Sequence, residues 1–344
     1  MIAPKGSPGR RWRLSLSLAA VAPVVLVAAC GGGSGGSSGG SLTIKWAGTL
    51  PETNASSIAT AAAIKQIQSG GKIKVKYYGA GSLFTEDQMQ SALANGSVDM
   101  GTTSLHRWSS VEPSLNIDEL PYLIDNPDQA LKAVDGQFGT DVNALLEKHG
   151  AHIVGWALYG FGGDFADTKH MVKTPEDLKG LRLRANDAIS GDMYDHFGAQ
   201  GIEMDSADVY TGLQRGQIDG ATSGIDSIVS RKWDEVAKNI TSVRNSIAIY
   251  PMMANLKWWN GLTDAQRTTI TDAVKATEKD EFAAITPDYT KYEDQAKADG
   301  ATVYNVEGAE AETWKTDLAF MTTDWLKTAG PNGQKLIDDY NNAG

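Results

Sequence analysis

Cysteine occurs once in the chain, at position 30, so no intrachain disulfide framework and no cysteine-built zinc site can form. Basic charge is scarce: 31 Lys+Arg stand against 42 Asp+Glu, a formal net charge of −11. Residues 1–29 hold Lys5, Arg10, Arg11 and Arg13 and no acid, so the remainder carries 27 basic against 42 acidic residues, a net −15. A body that acidic repels nucleic acid and anionic lipid, which argues against a nucleic-acid role. Signatures of nucleotide and hydrolytic chemistry are missing too: there is no Walker loop, GxGxxG, GxSxG or HExxH. Histidine is sparse, and the close pair His149 and His152 straddles Gly150-Ala151 at an expected helix-to-strand junction, which does not suit a metal pair. No metal, no cofactor and no catalytic residue is expected.

What is present is a globular composition with an unusual start. The 41% hydrophobic content, with 9 Trp, is enough to bury a core and excludes global disorder. The length fits about two domains. Residues 1–13 are basic, and Leu14–Ala29 is an apolar run broken only by Ser15, Ser17 and Pro23. That is a signal-peptide pattern over residues 1–29, too short for a comfortable membrane span. It ends Leu26-Val27-Ala28-Ala29-Cys30, which resembles a bacterial lipobox with Cys30 as the lipidated residue. Gly31–Ser41 contains only Gly and Ser, a flexible tether with an end-to-end distance of about 18 Å. Residues 30–41 are thus expected to hold a folded body, Leu42–Gly344, beside an extracytoplasmic membrane surface.

Along that body, strand and helix patterns alternate. Leu42–Ala47 and Lys72–Tyr78 alternate apolar and polar residues as half-buried strands do, while Ser56–Ser69 and Thr85–Ala94 read as helices. The class is α/β, with largely parallel pairing expected. Two stretches echo each other: Ser91–Ser104 and Thr211–Gly224 place Leu93/Leu213, Gly96/Gly216, Asp99/Asp219 and Thr102/Thr222 in register. Each reads as a helix ended by Gly, then a short strand whose carboxyl end carries small hydroxyls. Open α/β sheets bind ligands at that edge, so two such units imply two similar lobes with facing ligand edges. Between them, Thr174-Pro175-Glu176-Asp177 forms a capped turn before the strand Leu181–Ala185, which carries Arg182 and Arg184 on one face. A long helical stretch, Thr263–Asp299, is expected to kink at Pro287.

The order of Gly71–Lys76, Asn95–Asp99, Glu119–Ile124, Lys173–Arg184 and Val209–Gly220 resembles the DctP-type solute-binding proteins of tripartite ATP-independent periplasmic (TRAP) transporters. The resemblance covers essentially all of Leu42–Gly344. It implies a two-lobed periplasmic-binding-protein-like fold with a ligand cleft between lobes and a long lobe-spanning helix. Residues 42–160 with 249–288 would form lobe I, and 161–248 with 289–344 lobe II. A monomeric receptor of this kind would close over an organic anion and pass it to membrane permease subunits.

The same resemblance implies that Arg184 pairs with a ligand carboxylate, a role that suits the fixed donor fork of a guanidinium. It places Ser223, Thr49, Phe84, Glu86, Thr103, Ser104 and Tyr250 near the ligand. One departure stands out: Asp164 occupies a position where several members carry a second carboxylate-binding arginine. Asp164 would then pair with Arg184 or receive a cationic or hydroxyl group, favouring a small carboxylate that also bears an amine or hydroxyls. Arg244 is the candidate replacement cation. Two rival readings share the exported scaffold: a hydrolase or transferase, which needs a nucleophile–base pair in the cleft, and a sensory lipoprotein.

Overall fold

The apolar side chains of Leu42–Gly48 (β1) and Ile73–Tyr78 (β2) alternate strongly enough to set the two strands side by side, in parallel, from Leu42↔Ile73 to Ala47↔Tyr78. They belong to a computed structural model that describes residues 42–344, so the signal peptide, Cys30 and the tether lie outside the described residues. Met100–Thr102 (β3) and Ala151–Gly155 (β4) follow, then Leu158–Gly162 (β5) and Asp164–Asp167 (β6). Arg182–Ala185 (β7), Gln200–Glu203 (β8), Gly220–Ser223 (β9) and Asn239–Ser242 (β10) come next. The last strands are Ser246–Ile249 (β11), Met252–Asn255 (β12) and Thr302–Asn305 (β13).

Two sheets result. One has the order β2-β1-β3-β12-β4, the other β13-β10-β6-β9-β7-β8. Read from opposite ends they share one plan: two parallel strands, the strand of the echoed unit, then an antiparallel neighbour. The echo is structural in detail. Helix Glu86–Asn95 ends at Gly96 (φ 78°) before β3, and helix Val209–Gln214 gives way through Gly216 (φ 64°) to β9. Both glycines occupy the left-handed region that side chains resist. The Asp99 amide donates to the Lys45 carbonyl (2.9 Å) as the Asp219 amide donates to that of Arg182 (2.7 Å).

The pairing is mixed rather than largely parallel. β6 and β12 run against their neighbours because they enter their sheets from a crossing ribbon and not through a helical crossover. In that ribbon β5 leaves the first sheet for the second and β11 returns, and the two pair antiparallel with a bulge at Ala248/Ile249.

Helix Asp264–Ala298 runs 35 residues and passes through Pro287 without ending. The proline deprives the Ala283 carbonyl of its helical donor. Burial on both sides holds the helix together: Ile270 and Val274 lie in an apolar cluster with the first sheet, Tyr289 and Ala296 in one with the second. Phe282 and Ile285, just before the proline, join the largest core. In the helix Phe320–Asn341, by contrast, Pro331 follows Gly330 in a non-helical conformation (φ 61°, ψ −150°). That C-terminal helix packs against Pro113–Glu119, Pro127–Asp135 and Gln137–Lys148.

Candidate functional site

The sequence builds a rigid seat for Arg184. Asp177 accepts the amides of Lys173 (2.9 Å) and Thr174 (3.0 Å), closing the capped turn that launches β7. β7 is then clamped between β8 and β9. On its arginine face, Arg182 is spent on Asp219, with Nε and Nη2 donating to the carboxylate at 3.0 and 2.7 Å. Arg184 is 4% exposed, and its Nε donates to the Met204 carbonyl at 2.9 Å. Its terminal nitrogens make no hydrogen bond among the described residues, and they face a cleft between the two sheets and the ribbon.

That cleft opens to solvent at its mouth and is ringed by side chains of both sheets and of the ribbon. The first-sheet side contributes Leu50, Glu86, His106 and Glu119; the second contributes Arg184, Asn186, Ser206, Ser223 and Arg231. From the ribbon and its continuation come Tyr159 and Tyr250, stacked at 5.2 Å.

Its electrostatics centre on Glu86. Its carboxylate takes the Arg107 guanidinium (3.2 Å) and the Ser206 hydroxyl (3.3 Å) on Oε2, and the Tyr250 hydroxyl (3.4 Å) on Oε1. Burial pushes the Glu86 carboxyl up, but Arg107, Arg231, Arg184 and His106 outweigh it and hold its pKa below the ordinary range. The same contest runs at His106: burial lowers its pKa, and Glu119 at 2.8 Å raises it further than that. Glu119, which burial alone would raise, is lowered by His106, an Asn186 hydrogen bond (3.1 Å) and Arg184. Charged partners of both signs are thus arranged around one cavity.

Of the residues singled out from the sequence, Arg184, Glu86, Ser223 and Tyr250 line this cleft together. Ser223 shares a 3.1 Å hydrogen bond with the Tyr159 hydroxyl. Thr49, Thr103 and Ser104 are buried outside the lining, and the hydroxyls of Thr49 and Thr103 have no hydrogen-bond partner among the described residues. Phe84 packs on the largest core. Asp164 and Arg244 require a correction, since Asp164 neither pairs with Arg184 nor reaches the cleft. It is wholly buried, and it accepts the amides of Val243 (2.9 Å), Arg244 (3.1 Å) and Ile225 (3.2 Å) and the Tyr289 hydroxyl (2.8 Å). Four donors exhaust a carboxylate, so it brackets β6 to three other segments. Arg244 lays its guanidinium over the Tyr289 ring (5.4 Å) and is no replacement cation in the cleft.

Sequence reasoning missed Arg231, Tyr159 and the His106–Glu119–Asn186 chain. Glu119 carried a signal, an acid leading the apolar run Leu120–Ile124. Arg231, between Ser230 and Lys232, carried none: it reaches the cleft only because helix Ile225–Ser230 ends there, its Nε on Ser227 (3.2 Å). Among the described residues Ser104 Oγ, His106 Nε2 (3.4 Å) and, beyond it, Glu119 align as a Ser–His–acid series. Ser104 is wholly buried and outside the lining, so its hydroxyl supports the imidazole and has no route to a ligand. Among the described residues no group of three or more His, Cys, Asp or Glu could hold a metal ion, and no helix is long and apolar enough to cross a membrane.

Comparison with known proteins places this geometry in company. A family model described as bacterial extracellular solute-binding protein, family 7 (DctP), matches residues 51–327. The 2,3-diketo-L-gulonate-binding periplasmic protein YiaO of Escherichia coli is 26% identical over 273 residues, 79% of this chain and 82% of that protein. The C4-dicarboxylate-binding protein DctB of Bacillus subtilis is 27% identical over 254 residues, 73% of this chain and 72% of that protein. The sugar acid binding protein DctPAm of Advenella mimigardefordensis, solved with galactonate, superposes with a TM-score of 0.83 at 22% identity, covering 89% of this chain and 99% of that one. The last likeness is one of fold.

Proposed function

The chain belongs to the bacterial extracellular solute-binding proteins of family 7, and we propose that it captures a small organic acid carrying hydroxyl or amine groups for delivery to a TRAP-type permease. The observation that carries the reading is Arg184, a buried guanidinium in the lining of the cleft, held by its Nε and with no hydrogen bond to its terminal nitrogens among the described residues. A carboxylate is the partner whose two oxygens match that fork. Glu86 is the second half of the reading. A buried, ionised carboxylate with three long bonds of 3.2 to 3.4 Å has acceptor capacity left for a hydroxyl or N–H of the ligand. The relatives named above are called after 2,3-diketo-L-gulonate and C4-dicarboxylates, carboxylic acids both.

Arg231 supplies the replacement cation earlier sought in Arg244, and it offsets Glu86 enough for an anion to enter. The family consists of binding receptors, and capture without conversion is the role proposed for this chain. We further assign residues 42–160 with 249–288 to one lobe and 161–248 with 289–319 to the other; the expected placement of the C-terminal segment in the second lobe is corrected, because helix Phe320–Asn341 packs against Pro113–Glu119, Pro127–Asp135 and Gln137–Lys148 of the first. Cys30 is proposed as a lipid anchor holding the receptor at the extracytoplasmic face, as a monomer. Calorimetric titration of the mature protein with galactonate, glucuronate and C4-dicarboxylates tests the ligand class. Binding of a hydroxylated monocarboxylate that is lost in Arg184→Ala supports it; indifference to every organic acid refutes it.

A further inference from the structure

The ligand cleft has a neighbour. A second recess is lined by Asn116, Asp192, His196, Phe320, Asp324 and Trp325, and two further residues, Ile189 and Met321, line the recess and the cleft alike. These two are 9% and 5% exposed, and they come from helices Ala188–His196 and Phe320–Asn341, which pack on one another. One side chain from each helix therefore stands between two spaces. On the recess side the floor is buried (Asn116, Trp325), with Trp325 Nε1 donating to Asn116 Oδ1 at 2.7 Å. The rim is exposed and carries the carboxylates of Asp192 and Asp324 beside His196, which stacks on Phe320 at 4.0 Å.

We infer that Ile189 and Met321 form a partition that sets how long an acid the cleft accepts, and that the recess behind it takes an uncharged or cationic tail once the partition is thinned. The inference rests on the organic-acid reading above. It follows from three properties of the site. The two side chains are the residues common to both linings, so shortening either removes wall without touching the polar groups around Arg184. Met is unbranched with three rotatable bonds, so Met321 adapts to a ligand's end and still closes the wall. On the rim Asp192 repels a second carboxylate and accepts a neutral or positive group, while Asp324 is already paired with Lys327 (2.6 Å), so the recess filters what the opening would admit. In the parent protein the consequence is a compact ligand, its non-carboxylate end against Ile189 and Met321.

The test is calorimetric titration of the mature protein and of Met321→Ala with straight-chain 2-hydroxy acids of increasing length, and with dicarboxylates of equal length. Expected is a cutoff in the parent protein beyond which affinity falls, and a longer cutoff in Met321→Ala, with a gain of about 10-fold for each two CH₂ groups newly buried in the recess. The dicarboxylates should show no such gain. Met321→Leu keeps the volume and should keep the parental cutoff, and Ile189→Ala replaces Met321→Ala should that variant fail to fold. The same cutoff in the parent and in a folded thinned variant overturns the partition while leaving the receptor reading intact. If no acid binds either protein, the receptor reading falls, and the partition with it.

Discussion

Asp219 and Arg182 grip one another twice, through the Arg182 amide on Oδ2 (3.0 Å) and through the Arg182 guanidinium on both carboxylate oxygens. The first sheet repeats the backbone half of this bracket at Asp99 and Lys45, where the Lys45 amide donates to Asp99 Oδ2 at 2.7 Å. The guanidinium half is confined to the sheet that carries Arg184, one pleat further along β7. Two arginines on one strand face thus have different work: the first fixes the strand and the second faces the cleft.

Asp219 gives that bracket a pH signature. The Arg182 hydrogen bond holds its carboxyl down at about 2. A depressed carboxyl contributes stability that is present above its unfolded value of about 4 and lost as pH falls toward 2. Asp219→Ala should therefore lower the melting temperature clearly at pH 7 and much less near pH 2. A deficit of equal size at both pH values would show that the pair's charge is not what stabilises the strand.

Buried carboxyls elsewhere act in the opposite sense. Burial raises Asp164 to about 7, and burial with the neighbouring Asp164 charge raises Asp226 to about 8. A raised carboxyl binds its proton more tightly in the folded state, so its contribution is fullest below about 4 and is lost as pH climbs through 7 to 8. Thermal unfolding should show a protein more stable at pH 5 than at pH 8. Asp226→Asn, uncharged at any pH, should flatten that decline; an unaltered slope would remove Asp226 from the account.

Asn54 joins two parts of the fold that the ligand cleft separates. Its Oδ1 caps helix Ala55–Ser69 by accepting the Ser56 amide (2.9 Å), and its Nδ2 donates to Asp226 Oδ2 at 2.5 Å on helix Ile225–Ser230. Nearby, the Tyr292 hydroxyl of the long helix donates to the Thr53 carbonyl (2.9 Å). Serine retains the cap but cannot bridge. Asn54→Ser should lower stability by about 1–3 kcal/mol, because the buried Asp226 carboxyl loses its donor, and weaken ligand binding severalfold by costing the closed arrangement a contact. Equal affinity in the two proteins would assign the bond to the helix cap alone.

The contrast between Asp99/Asp219 and Asp164 shows which features a sequence displays. The echoed units were legible because helix, glycine and strand are local: Gly96 and Gly216 mark left-handed ends that a few residues dictate. Arg184 was legible through its capped turn and its family resemblance. Asp164 was misread because its partners sit at positions 225, 243, 244 and 289, and only the folded chain brings four donors to one carboxylate. Pro287 shows the limit of a local rule in another way: the helix runs on through it, supported by apolar contacts to both sheets that are invisible at that position. Arg231 had no local mark at all.

Cys30 lies outside the described residues, and its proposed lipidation rests on the Val27-Ala28-Ala29-Cys30 junction and the Gly/Ser stretch after it. Cys30→Ser should move the protein from the membrane to the soluble or secreted fraction, as assayed by fractionation and mass spectrometry of the processed N-terminus. A variant that is processed and stays membrane-bound would rule the anchor out.

The sharpest test lies at Arg184 and Glu86 together. Arg184 has little conformational entropy left to lose, because Met204 holds its Nε and β7 is paired on both sides. Removing one member of a buried charge pair typically costs about 2–5 kcal/mol, which is about 30-fold to several thousand-fold in affinity. Arg184→Ala should lose that much for the cognate acid, and Arg184→Lys should recover little because an ammonium cannot present the fork. Glu86→Gln keeps the shape and removes the charge that Arg107, Arg231 and Arg184 now share. Those guanidiniums then face the ligand with one anion fewer, so a dicarboxylate should gain on a hydroxylated monocarboxylate of similar size. Titration of both acids into both variants separates the roles. If Arg184→Ala binds the cognate acid as the parent does, no carboxylate clamp operates at this site; if Glu86→Gln leaves the ratio of the two acids unchanged, Glu86 supports the arginines without choosing the ligand.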